Sequence, residues 1–276
     1  MSKLPLAGVI GCPVGHSRSP VLHGTWLRHY GIAGHYVPLH IEAADLADML
    51  RALPRMGFVG ANVTIPHKEG ALALADQVSD VAARIGAANT LSFDEDGRCH
   101  ADNTDGYGFM ANLAQNAPDW RADAAPALLL GAGGAARAII VALLDAGCPE
   151  IRLSNRTAAR AEALAAEFGP RVAVVDWEAR AQGLGDLGLL ANTTSLGMAG
   201  QPALQMPLEG ISAGTLVTDI VYTPLQTDLL ARAEARGLRV VDGLGMLLHQ
   251  AVPGFARWFG RRPEVTEELR AAVLGQ

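Results

Sequence analysis

Apolar residues fall along this chain in short uninterrupted runs, separated by longer stretches in which they recur at helical spacing. Leu6–Gly11 reads as a buried strand. A polar loop from Cys12 follows, and Pro20 suits the first turn of a helix carrying Leu22, Trp26 and Tyr30 on one face. Residues 36–41 form a second strand, which Pro38 assigns to a sheet edge. Leu46, Met49, Leu50 and Leu53 mark an amphipathic helix, and Phe58–Val63 a third strand. Pro66 stops that strand from continuing, and Lys68 follows in a loop otherwise poor in charge. Short helical patterns at 71–75 and 81–85 precede a strand within 87–91, a turn at 94–97 and a polar cluster at 102–106. A helix with Phe109 and Leu113 then runs to Pro118.

The second half alternates more regularly. Strands are predicted at Ala127–Leu130, Ile151–Ser154, 172–175, 188–192, 216–220 and Arg239–Val241. Helices are predicted from the run Gly131–Ala138 through Leu144, stopping near Gly147, at 157–168 and at 227–236, and the tail from Met246 reads as two helices separated near Gly260 and Pro263. Strands alternating with helices of this length argue a parallel α/β sheet.

At 276 residues the chain has room for about two domains. Half the residues are hydrophobic and 18% are charged, which permits a sizeable core and disfavours disorder. A net charge of -6 argues against a nucleic-acid platform. Cys12, Cys99 and Cys148 are odd in number and dispersed, so they predict neither a disulfide framework nor a metal cluster. The opening residues lack the long apolar core of a signal peptide, and no run approaches a membrane span. The expectation is a cytoplasmic protein with a small-molecule substrate and no nucleic-acid or membrane partner, as a monomer or homodimer.

Chemistry enters with the run Gly131, Ala132, Gly133, Gly134, Ala135, Ala136, which leaves a strand and opens a helix. Gly131 permits the tight turn, Gly133 lets backbone approach a pyrophosphate, and Ala136 allows close helix packing. The helix start favours phosphate. Where an NAD site places an acidic residue at the end of the next strand, this chain has Asn155, Arg156 and Thr157, with Arg160 one turn on. Without a carboxylate to repel a 2′-phosphate, and with two guanidinium groups to hold it, NADP(H) is the expected cofactor.

The motifs His16 to Pro20, Asn62 to Lys68, Ala87 to Thr90 and Asn103 to Gly106 resemble those of the shikimate dehydrogenase family. So do 131–138, Asn155 to Thr157, Asn192 to Met198, Asp219 to Thr227 and Gly243 to Gln250. The likeness covers nearly the whole chain, with Gly24 and Ala251 as small departures from the family pattern. It implies two α/β domains with a catalytic cleft between them: residues 1–106 plus 243–276 binding substrate, and 107–242 as a Rossmann-type NADP-binding domain. It implies NADPH-linked reduction of 3-dehydroshikimate to shikimate, toward chorismate and the aromatic amino acids.

By the same resemblance, Lys68 and Asp105 are the catalytic pair. Ser17 and Ser19 take the substrate carboxylate, with Tyr222 near it, and Thr64, Asn89 and Gln250 hold ring hydroxyls. Gly131 to Ala135, Asn155, Arg156, Thr157, Arg160, Thr194, Gly243 and Met246 line the cofactor. The chemistry suits these residue types. A ring acid with several hydroxyls needs short polar partners, and a cation beside the ketone oxygen lowers the barrier to hydride arrival. Hydroxyls two residues apart on an extended segment share a face, which suits Ser17 and Ser19 to a carboxylate. Asp102 is a rival carboxylate, read as solvated or turn-stabilising, and Met246 is more readily a core residue than a cofactor contact. Two other readings stay open: a quinate/shikimate dehydrogenase of relaxed cofactor choice, and a non-catalytic NADP-binding regulatory protein.

Overall fold

The computed structural model describes residues 4–275; Gln276 and residues 1–3, part of the stretch read above for a leader, lie outside it. The chain divides into two compact units, Met1–Asp105 with Leu248–Gln276, and Gly106–Leu247. Both are α/β.

The first unit opens with β1 (Leu6–Gly11), α1 (Ser19–His29), β2 (His35–His40), α2 (Leu46–Ala52) and β3 (Phe58–Val63). Next come α3 (Lys68–Leu74), β4 (Gln77–Val78), α4 (Asp80–Ile85), β5 (Thr90–Phe93) and β6 (Cys99–Asp102). The sheet order is β2-β1-β3-β5-β6-β4. β1 pairs in parallel with β2 and β3, and β5 runs antiparallel to both β3 and β6. Pro38 therefore sits on an edge strand, where its missing N–H interrupts no ladder. The β5–β6 hairpin is closed by Asp94, whose Oδ1 accepts the Asp96 and Arg98 amides at 3.1 and 2.8 Å. Ile10, Val63, Leu91 and Ala101 from the sheet pack with Leu46, Leu50 and Leu53 from the α2 region. β4 and β6 were not read from the pattern, because each is short and carries polar residues.

The second unit follows α5 (Asp105–Asn116) with β7 (Ala127–Leu130), α6 (Gly134–Asp145), β8 (Ile151–Ser154), α7 (Ala158–Phe168) and β9 (Val172–Val174). It continues with β10 (Leu189–Asn192), β11 (Leu216–Asp219), α8 (Asp228–Ala235) and β12 (Arg239–Val241). α9 (Leu244–Phe259) begins at the end of this unit and runs on as part of the first, which α10 (Glu267–Leu274) completes. All six strands, β7 to β12, are parallel, in the order β12-β11-β10-β7-β8-β9. Both faces are covered: Ala127 and Leu129 enter one apolar cluster, Leu128 and Leu130 the other. That accounts for strands that read as continuous apolar runs rather than alternating ones. The winding reverses between β7 and β10, and such a switch point opens a crevice at the carboxyl ends of the two strands.

Candidate active site

Lys68 does not lie in a loop. It is the first residue of α3, behind His67 at the N-cap position. The His67 ring is buried against the Ile41 carbonyl at 2.7 Å, and the Lys68 carbonyl accepts the Ala88 amide at 2.9 Å. The residue before the lysine and the lysine's own carbonyl are thereby tied to neighbouring segments. Its Nζ donates to Asp105 Oδ2 at 2.6 Å, in a pair with side chains 30% and 13% exposed. The other Asp105 oxygen accepts Asn89 Nδ2 at 2.7 Å, and the Asp105 amide donates to Asn103 Oδ1 at 3.0 Å.

Asn89 is the hub of this cluster. Its Oδ1 accepts the Thr104 amide at 2.8 Å, the Thr104 hydroxyl at 3.1 Å and the Thr90 hydroxyl at 2.9 Å. Its amide nitrogen also reaches Gln250 Oε1 at 3.4 Å, while the Gln250 carbonyl accepts the Thr104 hydroxyl at 2.8 Å. Behind it, Asn62 donates to the Asn89 carbonyl at 3.2 Å and to Thr90 Oγ1 at 3.3 Å, and accepts the Tyr36 hydroxyl at 2.7 Å. Every member has a partner, which makes a buried polar network rigid rather than costly. Tyr36, Asn62, Thr90 and Thr104 received no role from the sequence. The readable signal was a buried-strand pattern interrupted by Asn62 and Thr90.

Asp102 is neither solvated nor a mere turn residue. Its carboxylate accepts Ser79 Oγ at 2.6 Å, Arg257 Nη2 at 2.5 Å and the Asn103 amide at 2.8 Å. Burial alone would raise its pKa, but Ser79 and Arg257 hold it below the usual carboxylate value. Its oxygens are engaged in structure.

The serine pair is not extended either. Ser17 closes a turn onto the Val14 carbonyl at 3.0 Å, and the buried Ser19 begins α1 with Pro20 in its first turn. Ser17 Oγ accepts the Ser19 amide at 3.3 Å, and the Ser19 hydroxyl lies beside the Tyr36 hydroxyl. Pro20 fits the first turn of α1, where its missing N–H costs nothing, so the two serines are related by a turn rather than by strand alternation. Thr64, half-buried, donates its amide to Ile10 and accepts the His67 amide, both at 2.9 Å.

In the second unit, Gly131 has φ +113, and a Cβ there would meet Thr193 Oγ1 at 2.7 Å and Thr194 Cγ2 at 2.9 Å. The turn thus requires glycine on both counts. Gly133 is the N-cap of α6 with no side-chain cap, and a Cβ at Gly133 or Gly134 would meet nothing within 4 Å. The first-turn amides stand open. Asn155 Oδ1 accepts the Ala132 amide at 3.2 Å and its Nδ2 donates to the Thr157 carbonyl at 2.8 Å, latching the glycine turn to the end of β8. Thr157 occupies the α7 N-cap without a side-chain cap bond, and neither α6 nor α7 has an acidic residue in its first turn. Arg156 and Arg160 are exposed and not ion-paired among the described residues. An open amide cradle with two free guanidinium groups and no carboxylate fits a dinucleotide bearing an extra phosphate.

Across the switch point, Thr194 accepts the Leu196 amide at 3.0 Å and donates to Asn192 Oδ1 at 2.7 Å. Asn192 in turn donates to Asp219 at 2.9 Å. Burial raises the Asp219 carboxyl to about 6 despite donors from Val221, Thr227 and Asn192. Tyr222 lies half-buried in the loop after β11. Met246 packs into the apolar cluster with Phe109 and Leu129, the core role allowed for it. A Cβ on Gly243 would fall 2.4 Å from the Ile220 carbonyl oxygen, so backbone packing alone requires this glycine.

Comparison with known proteins bears on the whole chain. Residues 9–91 match the shikimate dehydrogenase substrate binding domain, 112–193 match shikimate / quinate 5-dehydrogenase, and 243–274 match the shikimate 5'-dehydrogenase C-terminal domain. A curated relative from Cereibacter sphaeroides, named shikimate dehydrogenase (NADP(+)), is 64% identical over 99% of this chain and 98% of its own length. Among solved structures, shikimate 5-dehydrogenase from Thermus thermophilus, in complex with NADP(H) and shikimate, is 39% identical with a TM-score of 0.87. That match covers 99% of this chain and 100% of the other. Quinate dehydrogenase from Corynebacterium glutamicum in complex with NAD has a TM-score of 0.91 at 31% identity, over 99% of both chains. Identity this high over nearly the full length, with matched domains in both units, places the chain in the shikimate dehydrogenase family.

Proposed function

We propose that this chain catalyses the reversible NADPH-dependent reduction of 3-dehydroshikimate to shikimate, a step of aromatic amino acid biosynthesis. The observation that carries this reading is the Lys68–Asp105–Asn89 network, in which a part-buried ammonium and carboxylate are fixed by fully paired neighbours. It is supported by the acid-free glycine turn of the second unit and by relatives bearing that activity's name.

NADPH, when bound, supplies the hydride. Lys68 Nζ faces the ketone oxygen, stabilises the negative charge that grows there and is the source of its proton. Asp105 holds the ammonium in place and accepts from a ring hydroxyl. Asn89, Thr64 and Gln250 pair with the remaining hydroxyls, and Ser17 and Ser19 with Tyr222 hold the carboxylate. Gly131 to Ala135 and Thr194 cradle the pyrophosphate, Asn155 and Thr157 hold the ribose, and Arg156 and Arg160 take the 2′-phosphate. Gly243 completes the nicotinamide end, and Met246 supports it from the apolar core. The reaction is read as cytoplasmic, carried out by a monomer or homodimer; no helix among the described residues is long and apolar enough to cross a membrane.

The test is NADP reduction followed by absorbance with shikimate, and with quinate in parallel. Turnover with shikimate and NADP at rates well above those with quinate or NAD is expected. Bound NADP without turnover at saturating shikimate would refute the enzymatic reading.

A further inference from the structure

Three donor atoms converge at one corner of the first unit, at the carboxyl ends of two adjacent strands. Cys12 directly follows β1, His40 is the last residue of β2, and Glu42 lies two residues on. Cys12 Sγ is 3.6 Å from His40 Nε2 and 3.3 Å from Glu42 Oε2, and His40 Nε2 is 3.2 Å from Glu42 Oε1. The three residues form the one His/Cys/Asp/Glu group of metal-ligating geometry among the described residues.

These separations have a metrical meaning. Zinc binds thiolate sulfur at about 2.3 Å, imidazole nitrogen at about 2.05 Å and carboxylate oxygen at about 2.0 Å in tetrahedral array. Those bond lengths put sulfur and nitrogen about 3.6 Å apart, sulfur and oxygen about 3.5 Å, and nitrogen and oxygen about 3.3 Å. The sulfur–nitrogen separation meets that figure, and the thiol and the imidazole each lie within reach of the Glu42 carboxylate, through different oxygens; one ligand atom from each of the three residues lies within 4.8 Å of the other two.

The scaffold is fixed rather than fortuitous. Gly11 and His40 are register partners in the parallel β1–β2 ladder. The Ile41 amide donates to the Gly11 carbonyl at 3.3 Å, and the Cys12 amide to the Ile65 carbonyl at 3.2 Å. The side chains of His40 and Glu42 remain 55% and 65% exposed, which leaves a fourth position for water. One thiolate, one imidazole and one carboxylate form a borderline-soft set, which suits zinc and its neighbours and disfavours magnesium or calcium.

We propose that Cys12, His40 and Glu42 form a three-ligand site for a zinc-class divalent cation. The site is separate from the residues assigned to the reduction. In the metal-free chain the carboxylate accepts from the thiol and the imidazole; cation binding releases the thiol proton to solvent, while the neutral imidazole keeps one proton, on Nδ1, and binds through Nε2. The sequence hid the triad because its members come from two strands that neighbour each other only in the sheet.

The test uses the full chain stripped with a chelator and titrated with zinc chloride by calorimetry, and with cobalt chloride by absorbance. One equivalent should bind, with a thiolate-to-cobalt charge-transfer band in the near ultraviolet. Cys12→Ser should abolish that band. Cys12→Ser, His40→Gln and Glu42→Gln should each weaken zinc by at least ~100-fold, beyond the ~10–100-fold that loss of an outer-shell partner produces. Unchanged circular dichroism and dehydrogenase activity would show that these exposed substitutions leave the fold intact. No binding by the unsubstituted chain, a cobalt spectrum without a thiolate band, or full affinity in Cys12→Ser and His40→Gln would each overturn the proposal.

Discussion

His23 is 0% exposed, and neither of its ring nitrogens makes a hydrogen bond. Its ring stacks on Tyr36 at 4.0 Å with an interplanar angle of 5°, and Trp26, Phe255 and Trp258 surround it. Burial pushes its pKa from 6.5 down to about 3, with nearby Asn62 opposing slightly. As pH falls through 6.5 the unfolded chain takes up a proton that the folded chain refuses until about 3. Stability is therefore full above the first value and is lost progressively toward the second. The whole gap corresponds to about 5 kcal/mol, of which about 3 kcal/mol is lost by about pH 4. Tyr36 does not titrate in this window, since burial raises its pKa well above 10.0.

The perturbation is His23→Phe, which keeps an aromatic ring in the stack and removes the titration. Urea unfolding of both proteins, followed by tryptophan fluorescence from about pH 8 to about pH 4, isolates the effect, because groups common to both cancel in the difference. Trp26 and Trp258 are buried in the same cluster and report on the unit that holds His23. The variant can be somewhat more or less stable at neutral pH, as an overfilled core costs about 1–3 kcal/mol. What the structure demands is the slope. The native protein should lose about 3 kcal/mol relative to His23→Phe across that range. Parallel curves would refute the reasoning and would mean that the imidazole finds a proton acceptor.

Asp219 carries the opposite sign. Its carboxyl is raised from 3.8 to about 6, so its contribution is fully present below 3.8 and lost as pH rises through about 6. Asp219→Asn should therefore gain about 3 kcal/mol relative to the native chain between about pH 3.5 and pH 7.5 in urea melts, and a flat difference would count against the burial argument. Lys68→Ala should lower kcat by ~100-fold or more while NADPH affinity, read by fluorescence titration, stays within about 2-fold. A rise in KM alone would reassign Lys68 to ground-state binding. Arg156→Ala should weaken NADP by ~10–100-fold, the worth of a charge-assisted contact, and leave NAD nearly unchanged; equal weakening would place the 2′-phosphate elsewhere.

The strands and helices of the second unit were legible because their signals are local. Uninterrupted apolar runs such as Ala127–Leu130 belong to strands buried on both faces, and the glycines after them mark the turn. The first unit was harder at its polar edge. The strands Gln77–Val78 and Cys99–Asp102 are too short and too mixed to show a period. Ser19 looked extended because a pattern of hydroxyls cannot reveal that Pro20 has already committed the backbone to a helix. Lys68 looked like a loop residue because its helix is seven residues long and starts two positions after a proline.

The choice between Asp102 and Asp105 shows why candidate sites resist reading by spacing alone. Both carboxylates flank the same two polar residues. Asp102 is claimed by Arg257, a residue 155 positions away, and by Ser79 from the α4 N-cap. Asp105 pairs with Lys68 and Asn89. The guanidinium and serine hydroxyl occupy the oxygens of the first carboxylate and make it a structural tie. The second is held by an ammonium that is 30% exposed and retains further protons to donate. On the proposed function, chemistry falls to the carboxylate whose partner can release a proton, which an ammonium can and a guanidinium cannot, and long-range packing decides which carboxylate that is.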